Sequence, residues 1–171
     1  PLRASFVGGS TDIPNFYKKN DYGCVLSSTI NKYIYIFVDK KNIFFEKYRL
    51  NYSKTEITNN VNEIKNSIIR ECIKYTGIQD RLYIGTTSDF PANTGLGSSS
   101  SFCVGLLNAL FTYKKKSVSK YQLAEIASDI EIRLLKNPIG KQDHYSAAYG
   151  GINHFVFYKN GKVKIDKLND K

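Results

Sequence analysis

A loop rich in glycine and serine carries the residue types with the clearest chemistry. It spans residues 91–101, between a segment typical of a strand (82–87) and an apolar segment typical of a buried helix (102–111). Backbone N–H groups at the start of a helix lack partners within it and lie at the positive end of its dipole. Glycines let such a backbone approach an anion closely, and serine hydroxyls add donors or a ligand for Mg²⁺. The pattern predicts a phosphate-binding loop, because a flexible linker would not lead directly into a core helix.

Four charged residues elsewhere could also do chemistry, and each has a structural alternative. Arg3, near the start of a predicted strand, is also consistent with an ordinary surface charge. Asp12 follows two glycines, where aspartate commonly forms a turn. Glu131 borders the apolar face of its predicted helix, and a carboxylate there calls for a metal or cation partner. Asp143 has the position of an N-cap for a short helix that ends at Gly150.

Composition restricts the classes of function. The chain has 171 residues, which suit one domain, and a net charge of +10 from 25 Lys and Arg against 15 Asp and Glu. The lysines are scattered apart from residues 114–116, where they complement the dipole at the end of a predicted helix. The three cysteines and two histidines, Cys24, Cys72, Cys103, His144 and His154, show no metal-ligand spacing and are interpreted as structural. With no apolar run of membrane-spanning length and no signal peptide, we expect a cytoplasmic protein without nucleic-acid or membrane partners.

The remaining pattern predicts the elements that position these residues. Strands are predicted over residues 2–7, in two parts of 24–38 broken near Asn31, over 42–47 and 82–87, and in a hairpin of 152–158 with 162–165. Helices are predicted from about residue 61 to Gly77, over 102–111, and from 120 to 135, where Asn137 and Pro138 end the last one. Strands first and helices later predict an α+β fold with helices packed on one mostly antiparallel sheet.

Three segments, in this order, resemble the N-terminal domain of the GHMP kinases, the family of galactokinase, homoserine kinase, mevalonate kinase and phosphomevalonate kinase. Residues 1–3 followed by 8–12 resemble its first motif, 91–100 its phosphate loop, and 140–143 followed by 150–151 the segment with its catalytic aspartate. The combination covers nearly the whole chain. Within the family these segments are most similar to the bacterial D-glycero-D-manno-heptose 7-phosphate kinases. The resemblance therefore implies an ATP- and Mg²⁺-dependent sugar or sugar-phosphate kinase.

The resemblance also implies a role for each matching residue. Asp143 would accept or orient the proton of the sugar hydroxyl, and Arg3 would offset charge on the transferring phosphoryl group. Ser99 and Glu131 would be the protein ligands of Mg²⁺. The ATP phosphates would be bound by Pro91, Asn93, Gly95, Leu96, Gly97, Ser98, Ser99 and Ser100. The sugar side would be formed by Gly9, Thr11, Asp12 and Lys141, with Lys141 as a partner of Asp143 or of a substrate phosphate.

Two positions depart from the family pattern. Asn93 stands where the family has a glycine, and asparagine tolerates left-handed backbone better than most residues. Ser100 replaces an alanine.

The implied fold is the α+β sandwich of ribosomal protein S5 domain 2. Residues 1–171 would be the N-terminal, ATP-binding domain of a longer protein, since the family's third motif and C-terminal domain are missing and the chain contains no methionine. We therefore expect this piece alone to be inactive. Two alternatives stay open: a kinase for another sugar, of galactokinase or fucokinase type, and a non-catalytic S5-like RNA-binding module. Formation of a homodimer is also left open.

Overall fold

The computed structural model describes residues 1–40, 45–91 and 94–168. In chain order, its strands and helices are β1 (Arg3–Val7), α1 (Pro14–Tyr17), β2 (Tyr22–Thr29), β3 (Ile34–Lys40), β4 (Tyr48–Asn51), β5 (Thr55–Thr58), α2 (Ser67–Thr76), β6 (Leu82–Ser88), α3 (Ser98–Tyr113), α4 (Lys120–Ser128), α5 (Gln142–Tyr149), β7 (Ile152–Tyr158) and β8 (Val163–Leu168). A 3₁₀ turn, Val61–Glu63, precedes α2, and a π-helical turn, Asp129–Leu134, continues α4.

Across the described residues, the strands form two four-stranded sheets. One has the order β1-β2-β7-β8 and is antiparallel throughout, and the other has the order β3-β6-β4-β5, in which β4 runs parallel to β6. The predicted α+β class with mostly antiparallel strands is confirmed. The strands divide between two sheets where the sequence predicted one.

Helix α3 lies at the centre of the molecule. It contacts β3, α2, α4 and α5, and Cys103, Leu106, Leu107 and Leu110 along its length are completely buried. These residues belong to a large core that also includes β4, β6 and α2. A smaller core joins α5 to the first sheet through Tyr145, Phe155 and Phe157. Helix α3 is therefore held by packing on several sides.

The helices begin and end where local chemistry places them. The predicted helix over residues 102–111 is α3, which is longer and starts at Ser98. The segment predicted as one helix from residue 61 to Gly77 consists of the 3₁₀ turn and α2, because the Asn66 side chain accepts the N–H of Ile69 and starts a new helix. Gly77 ends α2 with a φ of +65°, as predicted.

The strand predictions were correct in most places. Residues 24–38 contain β2 and β3, and the predicted hairpin is β7 with β8, although β8 extends to Leu168. Of the strand predicted over 42–47, residues 42–44 lie outside the described part, and 45–47 form a bend before β4. Strand β5 was not predicted. Among the described residues, no helix combines the length and apolarity needed to cross a membrane.

Candidate active site

The predicted phosphate loop leads directly into α3. Gly97 immediately precedes the helix with a φ of +72°, and Gly95 has a φ of +74°. These left-handed conformations favour glycine and let the chain turn so that the N–H groups of Ser98, Ser99 and Ser100 begin the helix. The loop therefore has the geometry of an anion-binding helix N-terminus. The prediction for Asn93 falls outside the described residues, and Pro91 is solvent-exposed.

Arg3 links β1 to both the loop and α5. Its Nε donates to Oδ1 of Asp143 at 2.6 Å, and its Nη1 donates to the carbonyl oxygen of Gly95 at 2.8 Å. The backbone N–H of Arg3 also donates to the carbonyl oxygen of Leu96 at 3.0 Å. The side chains of Arg3 and Asp143 are 12% and 20% exposed, so both remain within reach of a ligand. The structure thus brings the two predicted catalytic residues together beside the loop.

Gly97 allows this close approach. A Cβ atom at Gly97 would lie 3.2 Å from Cγ and Oδ2 of Asp143 and 3.3 Å from Cγ of Arg3. Any side chain at this position would displace Arg3 or Asp143, so the glycine serves the site as well as the turn.

Asp143 is not the N-cap of its helix, so that structural alternative was wrong. Helix α5 starts at Gln142, and its N-cap, Lys141, makes no side-chain cap. The carboxylate that holds this helix end comes from Asp12, whose Oδ2 accepts the N–H of Gln142 at 2.8 Å. Asp12 is only 1% exposed. Burial raises the pKa of Asp12 above its usual value, and the nearby charge of Asp143 adds to the rise.

Glu131 faces inward from the π-helical turn and meets the loop. It is completely buried, and its Oε1 accepts a hydrogen bond from the hydroxyl of Ser99. Its Oε2 lies 2.8 Å from Nε2 of His144, which is buried too. Burial alone would raise the pKa of Glu131, but the hydrogen bond and charge of His144, with the hydroxyls of Ser99 and Ser100, hold it below its usual value. Glu131 is therefore an ionised carboxylate at the point where it meets the loop.

The pair of Ser99 and Glu131 is suited to Mg²⁺. A hydroxyl and a carboxylate oxygen that already touch offer two hard oxygen donors at the start of an anion-binding helix. Mg²⁺ takes few protein oxygens and completes its octahedron with phosphates and water. Within the described ranges, no three His, Cys, Asp or Glu side chains form a self-sufficient metal site. The residues present therefore fit a cation that arrives with a phosphate group.

The residues predicted for the sugar side are occupied with contacts inside the chain. Lys141 does not meet Asp143, because its Nζ lies 2.8 and 3.0 Å from the two carboxylate oxygens of Glu125. The Thr11 hydroxyl lies 2.8 Å from the carbonyl oxygens of both Gly8 and Cys24 and so fixes its own loop.

Gly9 lies near the start of α5. A Cβ atom at Gly9 would lie 3.9 Å from the Ser5 hydroxyl oxygen and 4.0 Å from Nε2 of Gln142. That places the Gly9 backbone close to α5.

A cavity that the sequence did not reveal opens beside the loop. Its volume is about 420 Å³, within the range of small-molecule sites. Apolar and polar side chains from β6, α3 and the segments around them line it: Ile34, Tyr52, Ser53, Asn66, Thr86, Thr87, Ser88, Phe90, Ser98, Ser99 and Phe102. Since Ser98 and Ser99 belong to both features, a ligand could place an anionic group at the helix start and an apolar ring in the cavity.

Sequence reasoning also missed three supporting side chains: Glu125, Gln142 and His144. The partners of His144 and Glu125 lie 13 and 16 residues away along the chain, and the partner of Gln142 lies 130 residues away. Local periodicity carries no signal at such distances. His144, interpreted as structural, contacts the proposed metal ligand.

Several known kinases are similar to this chain. A family model described as the GHMP kinases N terminal domain matches residues 62–151, more than half of the chain. The D-glycero-alpha-D-manno-heptose 7-phosphate kinase of Campylobacter jejuni is 34% identical over 100% of this chain and 53% of its own length. The galactokinase of Thermotoga petrophila is 26% identical over 92% of this chain and 44% of its own length.

A solved structure agrees with these relatives. The D-glycero-D-manno-heptose 1-phosphate kinase from Bacteriodes thetaiotaomicron superposes with a TM-score of 0.90 and 28% identity, over 100% of this chain and 59% of its own. This likeness confirms the expected S5-domain-2-like fold. The chain spans about half the length of the curated relatives it matches.

Proposed function

The chain belongs to the GHMP kinase family, and on this basis we propose that residues 1–171 are the nucleotide-binding N-terminal domain of a sugar-phosphate kinase. The reaction would transfer the γ-phosphoryl group of ATP to a hydroxyl of the acceptor. One observation carries the proposal: the carboxylate of Asp143 lies beside Gly97, at the start of the helix that would bind the phosphates. A proton acceptor and an anion site therefore face the same space.

The roles of the polar residues follow from this arrangement. Asp143 would take or orient the proton of the attacking hydroxyl, since its carboxylate is partly exposed next to the loop. Arg3 holds that carboxylate at 2.6 Å and would offset the charge that develops on the phosphoryl oxygens. Phosphoryl transfer depends mainly on such positioning and electrostatics, with little covalent chemistry by the protein.

Nucleotide binding would use the helix start and the cavity together. The N–H groups of Ser98–Ser100 would bind phosphate oxygens, and the cavity beside them has room for a nucleoside. Ser99 and Glu131 would hold Mg²⁺, which neutralises phosphate charge when bound.

A heptose phosphate is the proposed acceptor. The relative from Campylobacter jejuni is named for a heptose 7-phosphate and the superposed structure for a heptose 1-phosphate, so both names specify a heptose that already carries phosphate. We take D-glycero-D-manno-heptose 7-phosphate as the first candidate because that relative has the higher sequence identity.

The test is ATP consumption by the full-length protein that contains this chain. The acceptors would be heptose 7-phosphate, heptose 1-phosphate, galactose, fucose and mevalonate, each with and without Mg²⁺. We expect Mg²⁺-dependent turnover with a heptose phosphate, and loss of that turnover in the matched variant Asp143→Asn. Turnover with galactose or fucose alone would instead assign a different sugar kinase. An absence of turnover with every acceptor would contradict the proposal.

A further inference from the structure

We propose that His144 is a positioning residue for the cation site: its imidazole holds one carboxylate oxygen of Glu131 and leaves the other oxygen, with the Ser99 hydroxyl, for a divalent cation. The inference rests on the proposed function, in which that cation arrives with the nucleotide. It gives a role in that function to a histidine that the sequence pattern predicted to be structural.

The imidazole of His144 is committed to Glu131. Both side chains are completely buried, and Nε2 of His144 lies 2.8 Å from Oε2 of Glu131. The other ring nitrogen, Nδ1, is buried and has no hydrogen-bond partner within the residues that the structure describes. A buried polar side chain is costly unless it is hydrogen-bonded, so the contact with Glu131 is what stabilises a histidine at this position.

The direction of this hydrogen bond follows from the proposed role of Glu131. A carboxylate that binds a metal is ionised and can only accept hydrogen bonds. Nε2 of His144 must therefore carry a proton and donate it to Oε2. The neutral tautomer with its hydrogen on Nε2 meets this need and leaves the buried Nδ1 without an N–H group that would require an acceptor.

The two carboxylate oxygens of Glu131 have different partners. Oε2 is held by His144 from α5, whereas Oε1 accepts the hydroxyl of Ser99 in the first turn of α3. Binding of a cation at Oε1 and Ser99 would replace the hydrogen bond that joins them and leave the bond to His144 intact. Residues that hold a metal ligand in this way typically contribute about 10- to 100-fold in metal affinity.

Helix α5 connects this contact to the proposed base. His144 directly follows Asp143, whose carboxylate accepts from Nε of Arg3 at 2.6 Å. Arg3 in turn donates to a carbonyl oxygen of the loop. Two neighbouring residues of one helix are therefore linked separately to the phosphate loop, one through Arg3 and the other through Glu131. Loss of the link through His144 should weaken the cation site while Asp143 keeps its own link.

Two substitutions of His144 separate positioning from packing. Both remove the imidazole, but their amide groups lie at different distances from the backbone. The amide nitrogen of His144→Gln reaches about as far as Nε2 and can still donate to Glu131, whereas that of His144→Asn is shorter by one carbon and reaches only about as far as Nδ1. The matched control is His154→Gln, because His154 is a partly exposed residue of β7 that lies 3.6 Å from Asp166.

The first measurement is Mn²⁺ binding to the full-length protein in the presence of a non-hydrolysable ATP analogue. We expect His144→Asn to weaken Mn²⁺ binding at least about 10-fold, His144→Gln to stay within about 3-fold of the wild-type protein, and His154→Gln to have no effect. Affinity for the analogue without metal should stay within about 2-fold in every variant, since the N–H groups at the start of α3 are unchanged. Unchanged Mn²⁺ binding in His144→Asn, equal losses in both His144 variants, or no Mn²⁺ binding by the wild-type protein would each overturn the proposal.

Nitrogen NMR of the imidazole is a second measurement that needs neither metal nor substrate. In isotope-labelled wild-type protein, the His144 signals, identified by their absence from His144→Gln, should show a proton on Nε2. A ring protonated on Nδ1 alone would overturn the proposal, and this result decides it even if His144→Asn fails to fold. If the wild-type protein consumes no ATP with any acceptor, the proposed kinase function fails, whereas the Mn²⁺ and NMR measurements still decide the role of His144.

Discussion

At the scale of single residues, Arg3 fixes the position of the Asp143 carboxylate. Arg3 donates to its Oδ1 at 2.6 Å and is itself tied to the loop through Gly95. The carboxylate is therefore held at the phosphate loop as a partly exposed group and does not cap its own helix. Substitution of Asp143 therefore tests its proposed role as the proton acceptor.

The first prediction concerns Asp143→Asn in the full-length protein. The amide keeps an acceptor for Arg3 but cannot take a proton, so kcat should fall about 10²-fold or more. The loss of a charged hydrogen bond should lower the free energy of unfolding by about 1 kcal/mol. ATP affinity should stay within about 2-fold, since its proposed contacts come from the start of α3 and the cavity beside it, and a fold-change of that size is only a few tenths of a kcal/mol. Turnover, melting temperature and nucleotide binding measure the three effects, and preserved turnover per folded molecule would reject Asp143 as the base.

A second prediction tests the proposed role of Glu131 as a ligand of Mg²⁺. Glu131→Gln keeps hydrogen-bonding groups for Ser99 and His144 but removes the charge that Mg²⁺ requires. We expect the Mg²⁺ concentration for half-maximal activity to rise about 10-fold or more, which corresponds to about 1.4 kcal/mol of metal affinity. Direct Mn²⁺ binding in the presence of nucleotide should weaken in parallel.

The control for Glu131→Gln is Asp129→Asn. Asp129 lies on the same π-helical turn, and its exposed carboxylate pairs with Arg133 at 2.5 Å. Its loss should leave the metal dependence unchanged. An equal response of both variants would show that the turn, and not the Glu131 carboxylate, governs metal binding.

At the scale of elements, the start of α3 depends on two glycines that differ in their surroundings. Gly95 and Gly97 have nearly the same φ, +74° and +72°, so alanine at either position incurs similar backbone strain, of about 1–2 kcal/mol. A Cβ atom at Gly97 would press against Asp143 and Arg3, whereas one at Gly95 would meet no described atom within 4 Å.

The third prediction compares Gly97→Ala with Gly95→Ala. Both should lower the melting temperature by similar amounts. Gly97→Ala should in addition lower turnover by about 10-fold or more, because it displaces Arg3 or Asp143 from its position by a few tenths of an ångström or more. The comparison is made per folded molecule in the full-length protein. Turnover of Gly97→Ala at the wild-type level would show that the contact of Gly97 with Asp143 has no part in the reaction.

The elements themselves were largely predictable from the sequence, whereas their contacts were not. Periodicity located α2, α3, β6 and β7, because each buries one face or its whole length against a core. The predicted helix over 120–135 ends as an α-helix at Ser128 and continues as a π-helical turn, for which no propensity pattern exists. That turn carries Glu131, and the sequence could place this residue only beside the apolar face.

Contacts between segments that are distant along the chain could not be predicted from the sequence. Arg3 and Asp143 are 140 residues apart, and Asp12 and Gln142 are 130 apart. The family resemblance assigned roles to Arg3, Asp12 and Asp143 but could not say that Asp12, and not Asp143, caps α5. Only the packing of both cores brings the first loop of the chain to that helix end.

At the scale of the whole molecule, the net charge of +10 is consistent with a nucleotide-binding site or with an RNA-binding module. Binding measurements distinguish these two explanations. An anion site at one helix start predicts that ATP with Mg²⁺ raises the melting temperature of the full-length protein. An RNA-binding module predicts RNA affinity that falls steeply and linearly with the logarithm of salt concentration. We expect a thermal shift of several degrees with Mg²⁺ and ATP and no RNA binding at physiological salt. The opposite result would favour the RNA-binding alternative.

The last prediction concerns residues 1–171 on their own. The relative from Campylobacter jejuni is about twice as long as the part that this chain covers, and Arg3 and Asp143 remain partly open to solvent here. If the remainder of the protein helps to close the acceptor site, as we propose, residues 1–171 should consume no ATP in response to a heptose phosphate, while the full-length protein should. Circular dichroism would establish whether the isolated piece is folded around the two cores seen in the structure. Robust turnover by the folded piece would mean that the acceptor site lies entirely within these residues.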